Sequence, residues 1–576
     1  MYSILKRKLK LFYLTRSLDV LKRNFCDVPR VAGFRSYEEE RSWKLKVPEK
    51  FNFASDVIDQ WAQREKNGLR NSAVPAFWYV SEDGNELKIS FEELEYQTKR
   101  IASILENTLG IRRGDAVIVM LPKIPEFYFL NISALRVGCV LSPASTMLTT
   151  KDLVYRFKAL NPVCVIAHDS VADTVEEAAE CLPTLKQKVI VSKSPNKKFG
   201  WFDLNHIQLN SDDHKCAVTR SDESMAVFFT SGTTGYPKMV EHTHASFPLS
   251  LGDLGKYTLD LNSDNMSWSI ADTGWGLTAY SIFSTWSRGA CLFIHEMPRF
   301  SPQTILQMLS KYPIDSFVAP PLVYKSLLAE NIASHKLSKL EHCCCGGEAL
   351  NPEIIRKWRA STGLKIHNVY GQTESTALIT CRKTFEYREG SLGKPVPGMK
   401  VTIVDENEEE LGVGVIGEIV AERKNAVGLF KGYKDNPKAT KAVLTEKYFH
   451  SGDLGYYDKD GYFWYAGRND DLINSAGYRI GPVEVENALM EHSAVREVAV
   501  ISSPDSKRGE VVKAFIILNE SVKPSEALIN ELQDHCKRMT APYKYPRKIE
   551  FVSDMPKTIS GKILRKELKQ REWKNS

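Results

Sequence analysis

Short apolar runs alternate with amphipathic stretches through most of the chain. Residues 115–121, 139–143, 163–167 and 189–191 are runs of strand length rich in Val and Ile, the pattern of strands covered on both faces. Between the first two, residues 124–137 carry helical apolar spacing that Gly138 ends. Repeated alternation of this kind predicts an α/β fold of mostly parallel, helix-covered sheets. Nearer the start, residues 51–57 open a helix running towards Glu65, with Asn52 or Ser55 as its cap. Residues 77–80 and 86–90 flank Glu82-Asp83-Gly84 and predict a hairpin, and Ser90 ahead of Glu92-Glu93 predicts the next helix start.

The run 225–229 reads as another buried strand, and it leads into an unusual stretch, Thr230-Ser231-Gly232-Thr233-Thr234-Gly235-Tyr236-Pro237-Lys238, followed by Met239-Val240 and a polar turn. Small hydroxyl residues and glycines at this density leave backbone N–H groups free to wrap an anion, so the loop suits a phosphate. It is not a Walker A motif, because Pro237 stands between the last glycine and Lys238. Composition alone favours a flexible Ser/Thr/Gly surface loop, and it is the company of this stretch that overturns that reading. Its company lies further on: Tyr370-Gly371-Gln372-Thr373-Glu374 after the strand-like 366–369, Ser451-Gly452-Asp453, Gly467-Arg468-Asn469-Asp470, and residues 556–562 ending in Ser560-Gly561-Lys562. Beyond residue 471 the pattern changes to a small hairpin, a helix opened by Pro482, strands at 495–502 and 511–518, and a helix near 526–535. That is a compact α+β unit, and about 100 residues is an ordinary domain size.

At 576 residues the chain has room for three to four domains of about 150 residues each. Hydrophobic residues at 43% and charged residues at 26% suit a globular enzyme, and no apolar run reaches the roughly 18 to 20 residues that a membrane span needs. The net charge of +6 is modest and partly concentrated at the N-terminus, which disfavours nucleic acid and suits phosphorylated small substrates. Of the 11 cysteines only Cys343-Cys344-Cys345 cluster, and no CxxC or His pair completes a zinc site. They are expected to be reduced, with the triplet in a strand before Gly346-Gly347. Lys6, Arg7, Lys8, Lys10 and Arg16 interleave with leucines and aromatics, with no acid before Asp19. This is the pattern of a mitochondrial transit peptide, with a basic surface tail as the alternative.

With these motifs in this order, the chain resembles the acyl-adenylate-forming superfamily, and within it the mitochondrial medium-chain acyl-CoA synthetases. The resemblance implies a transit peptide at 1–35, a large N-terminal domain with a β subdomain at 36–468, and a small mobile domain at 469–576 pivoting at Asp470. It implies an acid:CoA ligase of the mitochondrial matrix that uses ATP, Mg²⁺ and CoA, a monomer or weak homo-oligomer. On it, residues 230–238 and Asn368 to Thr373 bind ATP, Tyr370 stacks on adenine, Gly346-Gly347 let a flat base approach, and Thr373 contacts α-phosphate and substrate carboxylate. Glu374 holds Mg²⁺, Asp453, as a carboxylate at the end of a strand, takes the ribose hydroxyls, Arg468 adds charge near ribose and phosphate, and Lys562 bridges carboxylate and α-phosphate. Trp275 walls the acyl chain and Arg479 lies near substrate, while Ala476, Gly477, Tyr478, Arg508 and Arg538 meet CoA. Met147 and Arg538 depart from the family pattern, and without the family Trp275 reads equally as a core residue.

The chemistry asks for such a set. A carboxylic acid has a poor leaving group; AMP transfer supplies a good one. Attack on the α-phosphorus needs positioned cations and N–H donors, not a nucleophilic triad. Two other readings stand beside the ligase: an adenylating enzyme that loads a carrier thiol or takes another acid such as benzoate, and a catalytically inactive adenylate-fold binding protein.

Overall fold

The computed structural model describes residues 39, 43–194, 198–207, 213–230, 237–337, 339–424, 426–475, 478–505, 508–557 and 562–574. The expected transit segment, residues 231–236 of the phosphate loop, Ala476 and Gly477 lie outside the described residues.

Two large sheets form the body. One has eight strands, with Ala116–Met120 at its centre between Val140–Pro143 and Cys164–His168, all parallel. The other has nine, in which Phe77–Val80, Cys291–His295, Met266–Ser269, Ser316–Ala319, His342–Gly346 and Ile366–Gln372 run parallel in that spatial order. Helices Pro125–Val137 and Gly276–Ser287 contribute to the core shared by both sheets. From Phe127 onward the first has every residue buried, which explains why its sequence is apolar around most of its circumference rather than along one stripe. Its end is set by Gly138, whose φ of 78° is open to glycine at little cost.

A four-stranded antiparallel sheet, Val401–Val404, Gly417–Glu422, Tyr448–Tyr457 and Phe463–Arg468, makes the β subdomain. After the turn at Asn469–Asp471 the remaining strands form a separate five-stranded sheet with its own apolar core, covered by helices Pro482–Met490 and Glu526–Met539. The expected α/β class with a smaller α+β unit is therefore what the chain adopts. Ser90 and Glu93 form the reciprocal cap expected at the start of Phe91–Ser103. The cysteine triplet lies buried in His342–Gly346 with free thiols. Among the described residues no helix is long and apolar enough to cross a membrane.

Two local expectations change. Lys238–Thr243 is a full strand, antiparallel to Ser224–Thr230, where Met239-Val240 and a polar turn were expected. Asp453 sits inside the ten-residue strand Tyr448–Tyr457, not at a strand end. Gly452, at φ 68°, distorts the strand just before it.

Candidate active site

Strands from different sheets bring the scattered motifs together. Asp453 is almost fully buried, and its Oδ2 accepts from Tyr370 Oη at 2.8 Å and Gln372 Nε2 at 2.7 Å. Among the described residues its Oδ1 has only long contacts, to Arg468 Nη1 at 3.3 Å and Tyr465 Oη at 3.4 Å. A carboxylate offers about four acceptor positions, so Oδ1 retains capacity for further donors. Gln372 also donates to the Ser451 carbonyl at 2.7 Å, tying the two motifs through backbone as well as side chain. Burial opposes the charge on Arg468, but Asp453 and Asp470 outweigh it and hold the guanidinium above its ordinary range. Gly371 allows a close crossing: a Cβ there would lie 1.8 Å from the Thr376 carbonyl oxygen.

Thr373 and Glu374 follow in the turn between Ile366–Gln372 and Thr376–Thr380. The Thr373 carbonyl is 2.5 Å from His242 Nε2, and the other ring nitrogen is 3.0 Å from Ser246 Oγ. Burial pulls the His242 pKa down to about 4, so the ring is neutral and donates to that carbonyl. Gly276 stands opposite; a Cβ built on it would lie 3.6 Å from Thr373 Oγ1. Trp275, half-buried, precedes it at the start of helix Gly276–Ser287, and one turn on Tyr280 Oη donates to the Gln372 carbonyl at 2.9 Å. A bare helix N-terminus, a threonine hydroxyl and a tryptophan therefore share one corner.

Glu374 accepts from Tyr433 Oη at 3.0 Å, and Lys238 Nζ lies over the Tyr433 ring at 4.7 Å. Burial pushes the Glu374 carboxyl above its usual range, while the Tyr433 hydrogen bond, Lys238 and Arg468 pull it back. Thr230 ends its strand and the Pro237 carbonyl accepts from Tyr155 Oη at 2.8 Å, so both stems of the phosphate loop are fixed. Asn368 and Val369 continue the Tyr370 strand, with Asn368 Nδ2 donating to the Ser391 carbonyl at 2.7 Å.

The C-terminal unit reaches the same cleft. Lys562 and Arg565 both act on Glu348, which keeps solvent contact although the protein around it pushes its carboxyl up. Arg565 forks onto Glu486, with Nη2 to Oε2 at 2.7 Å and Nε to Oε1 at 3.0 Å. Asp470 lies in the turn Asn469–Asp471 and accepts from Arg468 Nε at 3.3 Å. The expected CoA residues are not gathered here: Arg508 follows the strand Val495–Asp505 and Arg538 occupies the last turn of Glu526–Met539. Among the described residues, no hydrogen bond or ion pair joins either to the Asp453 cluster. Tyr478 and Arg479 belong to the strand Tyr478–Ile480.

Comparison with known proteins identifies this arrangement. The AMP-binding enzyme family matches residues 65–434, and the AMP-binding enzyme C-terminal domain matches residues 484–562. The chain belongs to the AMP-binding enzymes. It is 47% identical over 575 residues to the mitochondrial acyl-coenzyme A synthetase ACSM3 of Homo sapiens, covering 99% of this chain and 97% of that protein. Mitochondrial acyl-coenzyme A synthetase ACSM4 of Rattus norvegicus is 46% identical over 533 residues, 92% of this chain and 91% of its own. Among solved structures, the anthranilate CoA ligase AuaEII in complex with anthranoyl-AMP superposes with a TM-score of 0.82 at 28% identity, covering 92% of this chain and 98% of that one. The expected acyl-CoA synthetase activity through an acyl-adenylate accordingly holds for this chain.

In this AMP-binding enzyme the cleft also holds residues that sequence reading passed over. Tyr433, Tyr465, His242 and Tyr280 each touch a motif residue yet lie outside any motif. Gly432-Tyr433 and Glu241-His242 carry no local signature, since each acts through a partner far away in sequence.

Proposed function

We propose that the chain is an ATP-dependent acid:CoA ligase of the mitochondrial matrix that activates medium-chain fatty acids to acyl-CoA, AMP and pyrophosphate. The convergence of Thr373, Glu374, Asp453 and Arg468 in one cleft, with Lys562 brought towards it by the C-terminal unit, carries this reading. Full-length likeness to mitochondrial acyl-coenzyme A synthetases supports compartment and substrate class.

Asp453 Oδ1 accepts the ribose hydroxyls, Tyr370 offers its ring to adenine beside Gly346-Gly347, and the 230–238 loop with Lys238 receives the β- and γ-phosphates. Thr373 and the open start of helix Gly276–Ser287 orient the substrate carboxylate, with its tail against Trp275. One carboxylate oxygen attacks the α-phosphorus in line, the bond to the bridging oxygen breaks, and pyrophosphate leaves. Lys562 neutralises the carboxylate and α-phosphate charge as they meet. The residues fit Mg²⁺: Glu374 is a half-buried carboxylate with one neutral donor on Oε1, a setting in which a hard cation compensates its charge. Bound there with ATP, Mg²⁺ would neutralise phosphate charge.

Residues 1–35, 36–468 and 469–576 act as targeting segment, adenylating domain and mobile domain, with Asp470 as pivot. Rotation removes Lys562 and brings residues 476–479, Arg508 and Arg538 towards CoA. The thiol sulfur then attacks the acyl carbonyl and AMP leaves. The test is pyrophosphate release and thioester formation over fatty acids of graded length, with and without CoA. Medium-chain acids should give both products, and Lys562→Ala should abolish adenylation while sparing thioester formation from supplied acyl-AMP. Hydroxamate trapping without any thioester would refute the ligase reading.

A further inference from the structure

Tyr433 lies on a two-residue edge strand, Gly432–Tyr433, that pairs with Lys238–Thr243, the strand leaving the phosphate loop. The segment is held tightly. Lys431 N donates to the Glu241 carbonyl and Lys434 N to the Met239 carbonyl, each at 2.8 Å, and Tyr433 N donates to Thr440 Oγ1 at 2.9 Å. It grips Glu374 twice, because Phe430 N donates to the Glu374 carbonyl at 2.8 Å and Tyr433 Oη to its Oε1 at 3.0 Å. The Tyr433 ring is buried, packs edge-on against Phe430 at 4.9 Å and carries Lys238 Nζ on its face.

We propose that Tyr433 is a positioning residue for the ATP-bound divalent cation: its hydroxyl pins one oxygen of Glu374 so that the other faces the cation, and its ring seats Lys238 beside the phosphates. A ring that merely filled the core would need no hydroxyl. A partner that orients a metal-binding carboxylate typically contributes about tenfold or more to metal affinity.

The inference rests on Glu374 holding the cation, so the experiment separates the two. Mn²⁺ affinity is measured by electron paramagnetic resonance with a non-hydrolysable ATP analogue, alongside the Mg²⁺ concentration for half-maximal pyrophosphate release. Tyr433→Phe keeps the ring and its contacts. It should weaken Mn²⁺ and raise the Mg²⁺ requirement about tenfold, leaving the KM for the acid and the melting temperature unchanged. In the Glu374→Gln background the same change should add nothing. Unchanged Mn²⁺ affinity in Glu374→Gln would overturn the metal role of Glu374. Loss in Glu374→Gln with none in Tyr433→Phe would overturn only the role of Tyr433. So would equal losses in both backgrounds, or a Tyr433→Phe protein that does not fold.

Discussion

Replacing Asp453 with Asn tests the nucleotide site at the atom on which most of its contacts converge. The amide must keep its oxygen towards the two short donors, Tyr370 Oη at 2.8 Å and Gln372 Nε2 at 2.7 Å. Its NH₂ then takes the Oδ1 side and confronts Arg468, leaving that guanidinium with Asp470 at 3.3 Å and the Ser451 carbonyl at 3.4 Å. Arg468 is 37% exposed, so solvent screening limits the stability lost with the Asp453 pair to about 1 kcal/mol. The nucleotide loses more. Two ribose hydroxyls would meet a donor where they had a charged acceptor, and charge-assisted hydrogen bonds at about 1.5 kcal/mol each give about 3 kcal/mol, or roughly 150-fold in affinity. Calorimetric titration with a non-hydrolysable ATP analogue reads this directly, with the melting temperature as control. An affinity within about threefold of the unaltered enzyme, in a protein that melts normally, would refute the assignment of Oδ1 to the ribose.

Gly276→Ala places a methyl 3.6 Å from Thr373 Oγ1 and 3.9 Å from the Tyr280 ring, an ordinary contact that the fold tolerates. It should raise the KM for the acid about tenfold without changing that for ATP, since about 1.4 kcal/mol of crowding suffices; steady-state kinetics in both substrates check it. Arg356→Glu removes the 3.0 Å pair with Glu491 that helps dock the C-terminal unit. As a surface pair it contributes at most about 1 kcal/mol, so adenylation should slow about fivefold while thioester formation from supplied acyl-AMP is not slowed; rapid-quench assays of each half-reaction decide. Burial lowers the pKa of His242, His244 and His367 to about 4, and of His342 to about 3, from 6.5. These folded values lie below the unfolded one, so the stability tied to the neutral rings is fully present above pH 6.5 and is lost as pH falls through 4 and 3. The falls to 4 correspond to about 3 kcal/mol each and that of His342 to about 5 kcal/mol. Urea midpoints should fall steeply below pH 6, and less so in His244→Phe, whose replaced ring has no ring hydrogen-bond partner among the described residues.

The central parallel strands of the eight-stranded sheet were legible because each is a short apolar run, and helix Pro125–Val137 because Gly138 ends it. The motif residues were legible because chemistry concentrates them in short stretches. What escaped reading acts across sheets. Nothing near His242 in sequence says that it will meet the Thr373 carbonyl 131 residues away, or near Tyr433 that it will meet Glu374 59 residues back. Asp453 was expected at a strand end because that position suits a carboxylate receiving ribose hydroxyls. The strand instead runs on through Gly452 at φ 68°, and Asp453 within it accepts from Tyr370.

The contacts around Lys562 differ in strength according to which unit they join. Within the C-terminal unit, Lys557 and Ile563 form a bridge, Leu564 N donates to the Pro556 carbonyl at 2.8 Å, and Arg565 forks onto Glu486, whose Oε1 also takes Val500 N at 2.8 Å. A bidentate pair that is mostly buried and further hydrogen-bonded is costly to open, so the segment carrying Lys562 cannot readily move apart from its own unit. Between units the side-chain contacts are thinner: Arg356 to Glu491, Asn351 Nδ2 to Asn487 Oδ1 at 3.2 Å, and Lys325 Nζ to the Arg496 carbonyl at 3.2 Å. They are polar and at least partly solvated, the kind that reforms with water at small net cost. The weaker side-chain contacts therefore lie between the two units, and this is the ground for the proposed withdrawal of Lys562 by displacement of the whole unit about Asn469–Asp471.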